Sequence, residues 1–418
     1  MFLRVWEKEC KQIANSLIYW LYIIVLAVFF LSQLGSLKEE MIQKPEKGQE
    51  SYADYGMKTS EDEQDIMRAA LGNLAWGIWY DHFETYPVGF AKSVTLSDGE
   101  KAELEKILEE TTGLKGDAVG DDIEKHFEEH DPKFDYAPYT AEPKEGLTYE
   151  VFLKKMDQVA KILGPGSDFT EEMMKTSVEL PLDYKGAMEA YQNLVEKDGY
   201  TGGYLRLFCD YMGIMLGMLP VFVAATRILR DKRAQMQDLV FTRRVSSFTL
   251  ISSRYMAMVT MMMVPVMVLS LAPMIDCMTF TKGSGIHLDY LAFLKYDLGW
   301  LLPTVMVVTA VGLFVTELTE SALAVLIQGI WWFASLQLGV SEMGGGQYGW
   351  NLVPRHNTEM NYTGFINGFQ QLLMNRVFYA VLALILVTAT VWVYEEKRKG
   401  HLRRNGKILW NRKRTAKA

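Results

Sequence analysis

Apolar and charged positions are unevenly spread along the chain, and six long windows lie between consecutive charged residues. They run from Lys11 to Lys38 with 26 residues between, Asp210 to Arg227 with 16, Arg254 to Asp276 with 21, Asp297 to Glu317 with 19, Glu320 to Glu342 with 21, and Arg376 to Glu395 with 18. A helix rises about 1.5 Å per residue and crosses the hydrocarbon of a bilayer in roughly 20 apolar residues, and helices satisfy their own backbone in lipid. The pattern predicts an all-α polytopic membrane protein with six transmembrane helices. The second window is short unless LRLFCDY extends it, with Arg206 and Asp210 as an i,i+4 pair at the membrane surface.

The stretch between the first two windows carries a different pattern. SEDEQDIMRAALGNLAWGIWYDHF opens with a Ser60-x-x-Glu63 capping pattern, and LSDGEKAELEKILEETTGL repeats it with Ser97 and Glu100 before stopping at Gly113. TYEVFLKKMDQVAKILG places Val151, Phe152, Met156, Val159, Ile162 and Leu163 at helical spacing, and the Pro-rich DPKFDYAPYTAEPKEG reads as a loop. The expected organisation is an interfacial helix over 1–15, a first transmembrane helix over 16–35 and a mainly helical domain over 36–204. A second transmembrane helix over 205–228, an amphipathic connection over 229–250, helices three to six over 251–395 and a basic tail over 396–418 follow. Outer loops are expected at 276–297 and 342–376. The apolar core Leu17–Leu34 is longer than a signal-peptide core and no A-x-A-like site follows it, so the first helix is expected to be retained.

Charge orients this arrangement. The overall balance of −8 combines −19 over Lys38–Asp198 with +11 over the rest. Basic residues gather in Arg227–Arg254, with seven Lys and Arg, and in the tail from Lys397, with ten. Lys and Arg favour the cytoplasmic side, which puts both termini in the cytoplasm and residues 36–204 outside a bacterial plasma membrane. The turn TELTES, with Glu317 and Glu320 and no base, departs from the pattern. Cys10, Cys209 and Cys277 all lie outside the 36–204 domain, which must therefore fold on its core alone.

Candidate chemistry is sparse. GxxxxGK[ST], HExxH, GxSxG and paired CxxC are absent, so neither ATP binding by a phosphate loop nor a hydrolytic activity has a foothold, and no nucleic-acid partner is expected. His126 and His130 in HFEEHD share a helix face and form a weak metal candidate, against the commoner reading of a solvated helix end. Met256, Met258, Met261, Met262, Met263 and Met267 crowd the third apolar window, where pliant packing outweighs a soft-cation site. No carboxylate, cation or His falls inside the six windows, which argues against ion-coupled transport and places the energy source elsewhere. Gly213 and Gly217, with Pro220, Pro265 and Pro303, offer close packing or hinges. The segment SEMGGGQYGWNLVPRHNTEMNYTGFINGFQQLLMNR is expected outside, where it either dips into or caps the outer mouth or forms an ordinary surface loop.

Met236, Leu239 and Val240 add an apolar stripe to the basic connection, as a segment lying in a partner's groove would have. FVAATRILRDKRAQMQDLVFTRRVSSFTLISSRYMAM, together with the last helix NRVFYAVLALILVTATVWVYEEKRKG, resembles the permease subunits of type-2 ATP-binding-cassette (ABC) exporters, in the subset with a large insertion after helix one. The resemblance implies a dimer with a second permease copy or paralogue, seated on separate ABC ATPase subunits that bind ATP and Mg. No cofactor or catalytic residue is then expected in this chain, and the ATPase-coupling candidates are Arg230, Asp231, Gln235, Asp238, Arg243 and Arg244. The expected function is export of a peptide, lipid or other amphipathic substrate. Two rivals stay open: a membrane-anchored sensor whose outer domain captures a cationic peptide, and an ATP-driven machine that handles membrane lipids or envelope components without releasing them.

Overall fold

The computed structural model describes residues 1–35, 41–49, 51–87, 92–129, 139–234, 240–242, 244–339 and 345–402. Among them the chain is mostly helical, and it divides into two compact units, Ile42–Tyr191 and the remainder.

The larger unit contains α1 (Phe2–Ala14) and α2 (Leu17–Leu34) from the start of the chain. After the inserted smaller unit come α9 (Thr201–Leu216), α10 (Leu219–Arg233), α11 (Ser247–Leu269), α12 (Leu271–Phe280), α13 (Ala292–Tyr296), α14 (Leu302–Thr319), α15 (Leu323–Gly339) and α16 (Tyr362–Arg398). Among the described residues, five continuous stretches are long and apolar enough to cross a membrane: Leu17–Leu34, Thr201–Asp231, Ser247–Phe280, Ala292–Thr319 and Tyr362–Arg398. They make this a multi-pass membrane protein by length and composition. The sixth window forms α15, which is apolar but only 17 residues long. The most apolar 18-residue window is 67% buried in Ala292–Thr319, against 28% in Leu17–Leu34 and 33% in Tyr362–Arg398, so α14 is the most enclosed of these helices.

Several boundaries differ from those read off the charges. The expected outer loop 276–297 is helical to Phe280 and again from Ala292, and the loop 342–376 is helical from Tyr362. Arg376 is buried, so it does not mark a helix end, and the Asn361 side chain instead caps α16 by accepting the Gly364 N–H at 3.0 Å. The second apolar helix begins at Thr201 rather than 205.

The smaller unit holds α3 (Glu63–Trp79), α4 (Asp98–Thr112), α5 (Asp117–Glu129), α6 (Tyr149–Leu163), α7 (Glu171–Ser177) and α8 (Tyr184–Gln192). Short antiparallel ladders join β1 (Met57–Thr59) to β4 (Glu179–Pro181) and β2 (Phe83–Thr85) to β3 (Lys92–Val94). Leu71, Leu74, Leu104, Ile107, Phe152 and Met156 close its core. The capping box at α4 forms, with the Ser97 N–H donating to Glu100 at 2.8 Å and the Glu100 N–H to Ser97 at 3.4 Å, and Gly113 ends the helix at φ 85°. At α3 the expected cap is displaced. Asp62 accepts the Gln64 N–H at 2.8 Å, while the Ser60 hydroxyl donates to Asp65 at 2.6 Å.

Candidate functional site

One end of the larger unit, here the basal end, is built on ionised side chains. The Glu9 carboxylate of α1 accepts from Arg227 Nε of α10 at 2.6 Å and from Arg254 Nε of α11 at 3.0 Å. Asp231, one turn beyond Arg227, accepts from Arg254 Nη2 at 2.5 Å and Arg227 Nη1 at 3.3 Å. Two carboxylates and two guanidiniums thus alternate in a ring, with Gln12 accepting a further bond from Arg227 at 2.8 Å. Glu9 and both arginines are only 6–7% exposed at the side chain. Buried charges persist where every partner is supplied, and here removing any one member leaves the others uncompensated. Sequence reading took α1 as an interfacial helix and missed this lock; of the two leader acids, Glu7 pairs with Lys11 on the exposed face and Glu9 turns inward.

The same end collects the other basal connections. Lys397 of α16 pairs with Glu320 at 3.0 Å and Glu317 at 3.5 Å. Ser247 donates to Glu395, and Arg398 donates to the Val245 carbonyl at 2.8 Å. The two acids that broke the charge pattern are therefore held by a lysine from the tail. Of the expected coupling residues, Asp231 is taken up in the ring and is not a free surface acid. Arg230 and Arg244 are exposed, whereas Gln235, Asp238 and Arg243 lie outside the described residues. Arg230 and Arg233 line a cleft of 530 Å³ with Gln12, Asn15 and Ser16 of the α1–α2 corner.

The opposite, distal end is built on backbone. Residues 345–361 enter the bundle, with Tyr348, Leu352, Val353 and His356 buried, so this part of the segment is not an ordinary surface loop, and its remainder from Tyr362 is helical. Asp210 accepts the N–H groups of His356 and Asn357, each at 2.7 Å. Arg376 donates to the carbonyls of Trp300 at 3.0 Å, Asn351 at 3.3 Å and Leu352 at 3.4 Å and to the Thr304 hydroxyl at 2.8 Å. Asn375 holds the carbonyls of Gly349 and Asn351, both at 2.9 Å. Arg206 does not pair with Asp210: it bridges to Asp198 at 2.5 Å and lies 4.6 Å from the centroid of the Phe365 ring. Asp210 is consumed by the loop, and Arg206 turns to the partner upstream.

Gly213, Gly217 and Pro220 meet where α9 passes into α10. Pro220 has no N–H to continue the ladder, and α15 supplies donors to nearby carbonyls: Gln328 Nε2 to Gly217 at 2.7 Å and Trp332 Nε1 to Ile214 at 2.8 Å. A Cβ at Gly217 would stand 2.8 Å from both Trp332 and Val353, and one at Gly213 would stand 3.3 Å from Val353. The glycine pair therefore receives the inserted loop as well as a helix. Pro265 lies inside the unbroken α11, whose junction with α12 falls at Ser270 instead. There the Ser270 hydroxyl donates to Asp297 at 2.7 Å, in a π-helical turn over Asp297–Leu301 that leads into α14.

Arg206, Asp210, Asp297 and Arg376 are all buried in the bundle, which corrects the inference that its interior lacks ionisable groups. The windows were cut at charged residues, so buried charges became borders by definition. Cys209 and Cys277 are buried thiols with no disulfide. Met258, Met262 and Met263 are packed in the bundle, and Met256 is exposed. His126 lies on α5, His130 falls outside the described residues, and no cluster of three His, Cys, Asp or Glu occurs among the described residues. No family model, curated protein or solved structure matches this chain significantly.

Proposed function

We propose that the chain is the transmembrane permease subunit of an ATP-driven ABC exporter, with six membrane crossings, α15 being the fifth. It moves a peptide, lipid or other amphipathic substrate, and separate ATPase subunits supply the energy. One observation carries this reading. The ring of Glu9, Arg227, Asp231 and Arg254 ties the leader helix, the end of α10 and the start of α11 into one body beside the basic connection. Force applied there by a docked motor moves three helices together. Arg230, Arg233 and Arg244, exposed beside the ring, are the groups an acidic-rimmed partner would meet. With this end cytoplasmic, the Ile42–Tyr191 unit lies outside, and a second permease copy or paralogue completes the transporter.

The test is gentle purification of the tagged chain from native membranes, alongside Arg230→Glu and Arg244→Glu variants. An ATPase that travels with the parent and is lost from the charge-reversed variants is the expected result. No ATPase in the parent preparation overturns the proposal and selects the sensor reading, which the cavity described next favours.

A further inference from the structure

The smaller unit contains a cavity of 290 Å³ between α3, the β2 strand and the segment leading into α7. Ala70, Phe83, Phe169, Met174 and Val178 are buried and make its floor. Gly77 is required there, since a Cβ would stand 2.2 Å from the Phe83 ring. Trp76 adds an aromatic wall. At the exposed rim stand His82, Glu84, Tyr86 and Asp168, and no Lys or Arg lines the cavity. Glu84 is held in place, accepting from Tyr86 Oη at 3.2 Å and lying 3.3 Å from His82 Nε2. Tyr86 is itself anchored by its N–H, which donates to the Gly166 carbonyl at 2.8 Å. Asp168 has no hydrogen bond or ion pair among the described residues, and burial holds its carboxyl above the usual carboxylate range.

A pit with a floor of buried apolar side chains, whose polar mouth carries two carboxylates and no Lys or Arg, selects an amphipathic cation. The apolar part leaves water for the floor, and the charge stays at the rim beside Glu84 and Asp168, with the Trp76 and Tyr86 rings nearby. The volume is at the small end for a ligand site, which suits one side chain or a small amine rather than a folded partner. We infer that this cavity binds an ammonium or guanidinium group carried next to an apolar side chain, as at the amino terminus or a basic residue of a peptide. The inference rests on the Ile42–Tyr191 unit alone and is independent of any ATPase.

Phenylalaninamide, which places an ammonium beside a phenyl group, and its neutral N-acetyl derivative are the probes. Both are titrated by saturation-transfer NMR against the full chain in nanodiscs of zwitterionic lipid, with empty nanodiscs subtracted. The expected result is saturable binding of the amine, at least tenfold weaker binding of the acetylated form, and a loss of several-fold in Asp168→Asn and Glu84→Gln. Glu145→Gln, an exposed acid outside the cavity, serves as the control for the general field of the acidic unit. Binding reduced equally by Glu145→Gln, equal binding of the neutral probe, or no saturable binding each overturns the inference.

Discussion

Replacing Glu9 by Gln tests the basal ring most directly. The substitution keeps the shape of the side chain and removes the charge that Arg227 and Arg254 share at 2.6 and 3.0 Å. Breaking a buried pair by deleting one partner costs about 3–5 kcal/mol. Here Asp231 still faces both guanidiniums and is about one-fifth exposed, so the expected loss is nearer ~3 kcal/mol. That loss falls on the docking of α1, because Glu9 is the ring's only member on that helix. At about 1.4 kcal/mol per tenfold, release of α1 becomes roughly 100-fold more populated. Cys10 reports it, since this thiol is half-buried on α1 while Cys209 and Cys277 are buried. The readout is the rate of maleimide labelling in nanodiscs. Burial first and the Glu9 charge second hold the Cys10 thiol above its usual value, so Glu9→Gln also speeds labelling by freeing thiolate. Glu9→Gln/Arg227→Gln separates the two effects: Glu9 is equally absent, but one positive charge has gone with it and Arg254 keeps Asp231. The double variant should label more slowly than Glu9→Gln alone. Glu9→Gln labelling within twofold of the parent, or a double variant faster than Glu9→Gln, would refute the ring as a lock.

Three further outcomes follow from the geometry. Gly213→Ala should cost ~1 kcal/mol of thermal stability in nanodiscs, as mild overpacking does, and Val353→Ala should relieve it; Gly217→Ala should resist that rescue, because Trp332 also stands 2.8 Å from its Cβ. Arg376→Met strips a donor from the carbonyls of Trp300, Asn351 and Leu352, of which Asn351 keeps Asn375 and Leu352 keeps Thr304, so the expected cost is about 1–3 kcal/mol in all, and it should expose 345–361 to limited proteolysis without unfolding α14. Asp168 has a raised folded-state pKa, so ionisation weakens the fold as pH rises through that value; Asp168→Asn should be more stable than the parent at neutral pH, with the gain shrinking as pH falls and the parent is protonated.

What could be read in advance divides by the range of the interaction. The α4 cap and its Gly113 stop, and the apolar face of α6 with Phe152, Met156, Val159 and Leu163 buried, are set by residues within a few positions of one another. The Ser60 cap failed because two acids next to it competed for the same roles, and sequence spacing does not rank competitors. Arg376 and Asp210 looked like surface markers because an isolated charge is normally solvated. Their burial depends on groups far along the chain, loop carbonyls 24 and 25 positions and the Trp300 carbonyl 76 positions from Arg376, and loop amides 146 and 147 positions from Asp210, which no local pattern reveals. The cavity was equally hidden, since Asn73 and Trp76 come from α3, Glu84 from β2 and Asp168 from a loop.

The two ends of the bundle are fixed by different physics, and this bears on where it can move. At the basal end four charges on three helices are mutually dependent, so α1, α10 and α11 respond to a load as one body. At the distal end Asp210 and Arg376 hold backbone groups of the 345–361 segment, so α9, the loop and α16 form a second body. The α9–α10 helix joins them, and its intrahelical ladder is interrupted only at Gly217–Met218, before Pro220. There Gln328 and Trp332 hold the carbonyls of Gly217 and Ile214 from α15, and such bonds can be exchanged without breaking either body. Under the permease reading, displacement at the basic connection is therefore absorbed at Gly217. Gln328→Leu should then uncouple ATP hydrolysis from transport while leaving ATPase docking intact. Loss of docking in that variant, or transport that stays coupled, would place the moving joint elsewhere.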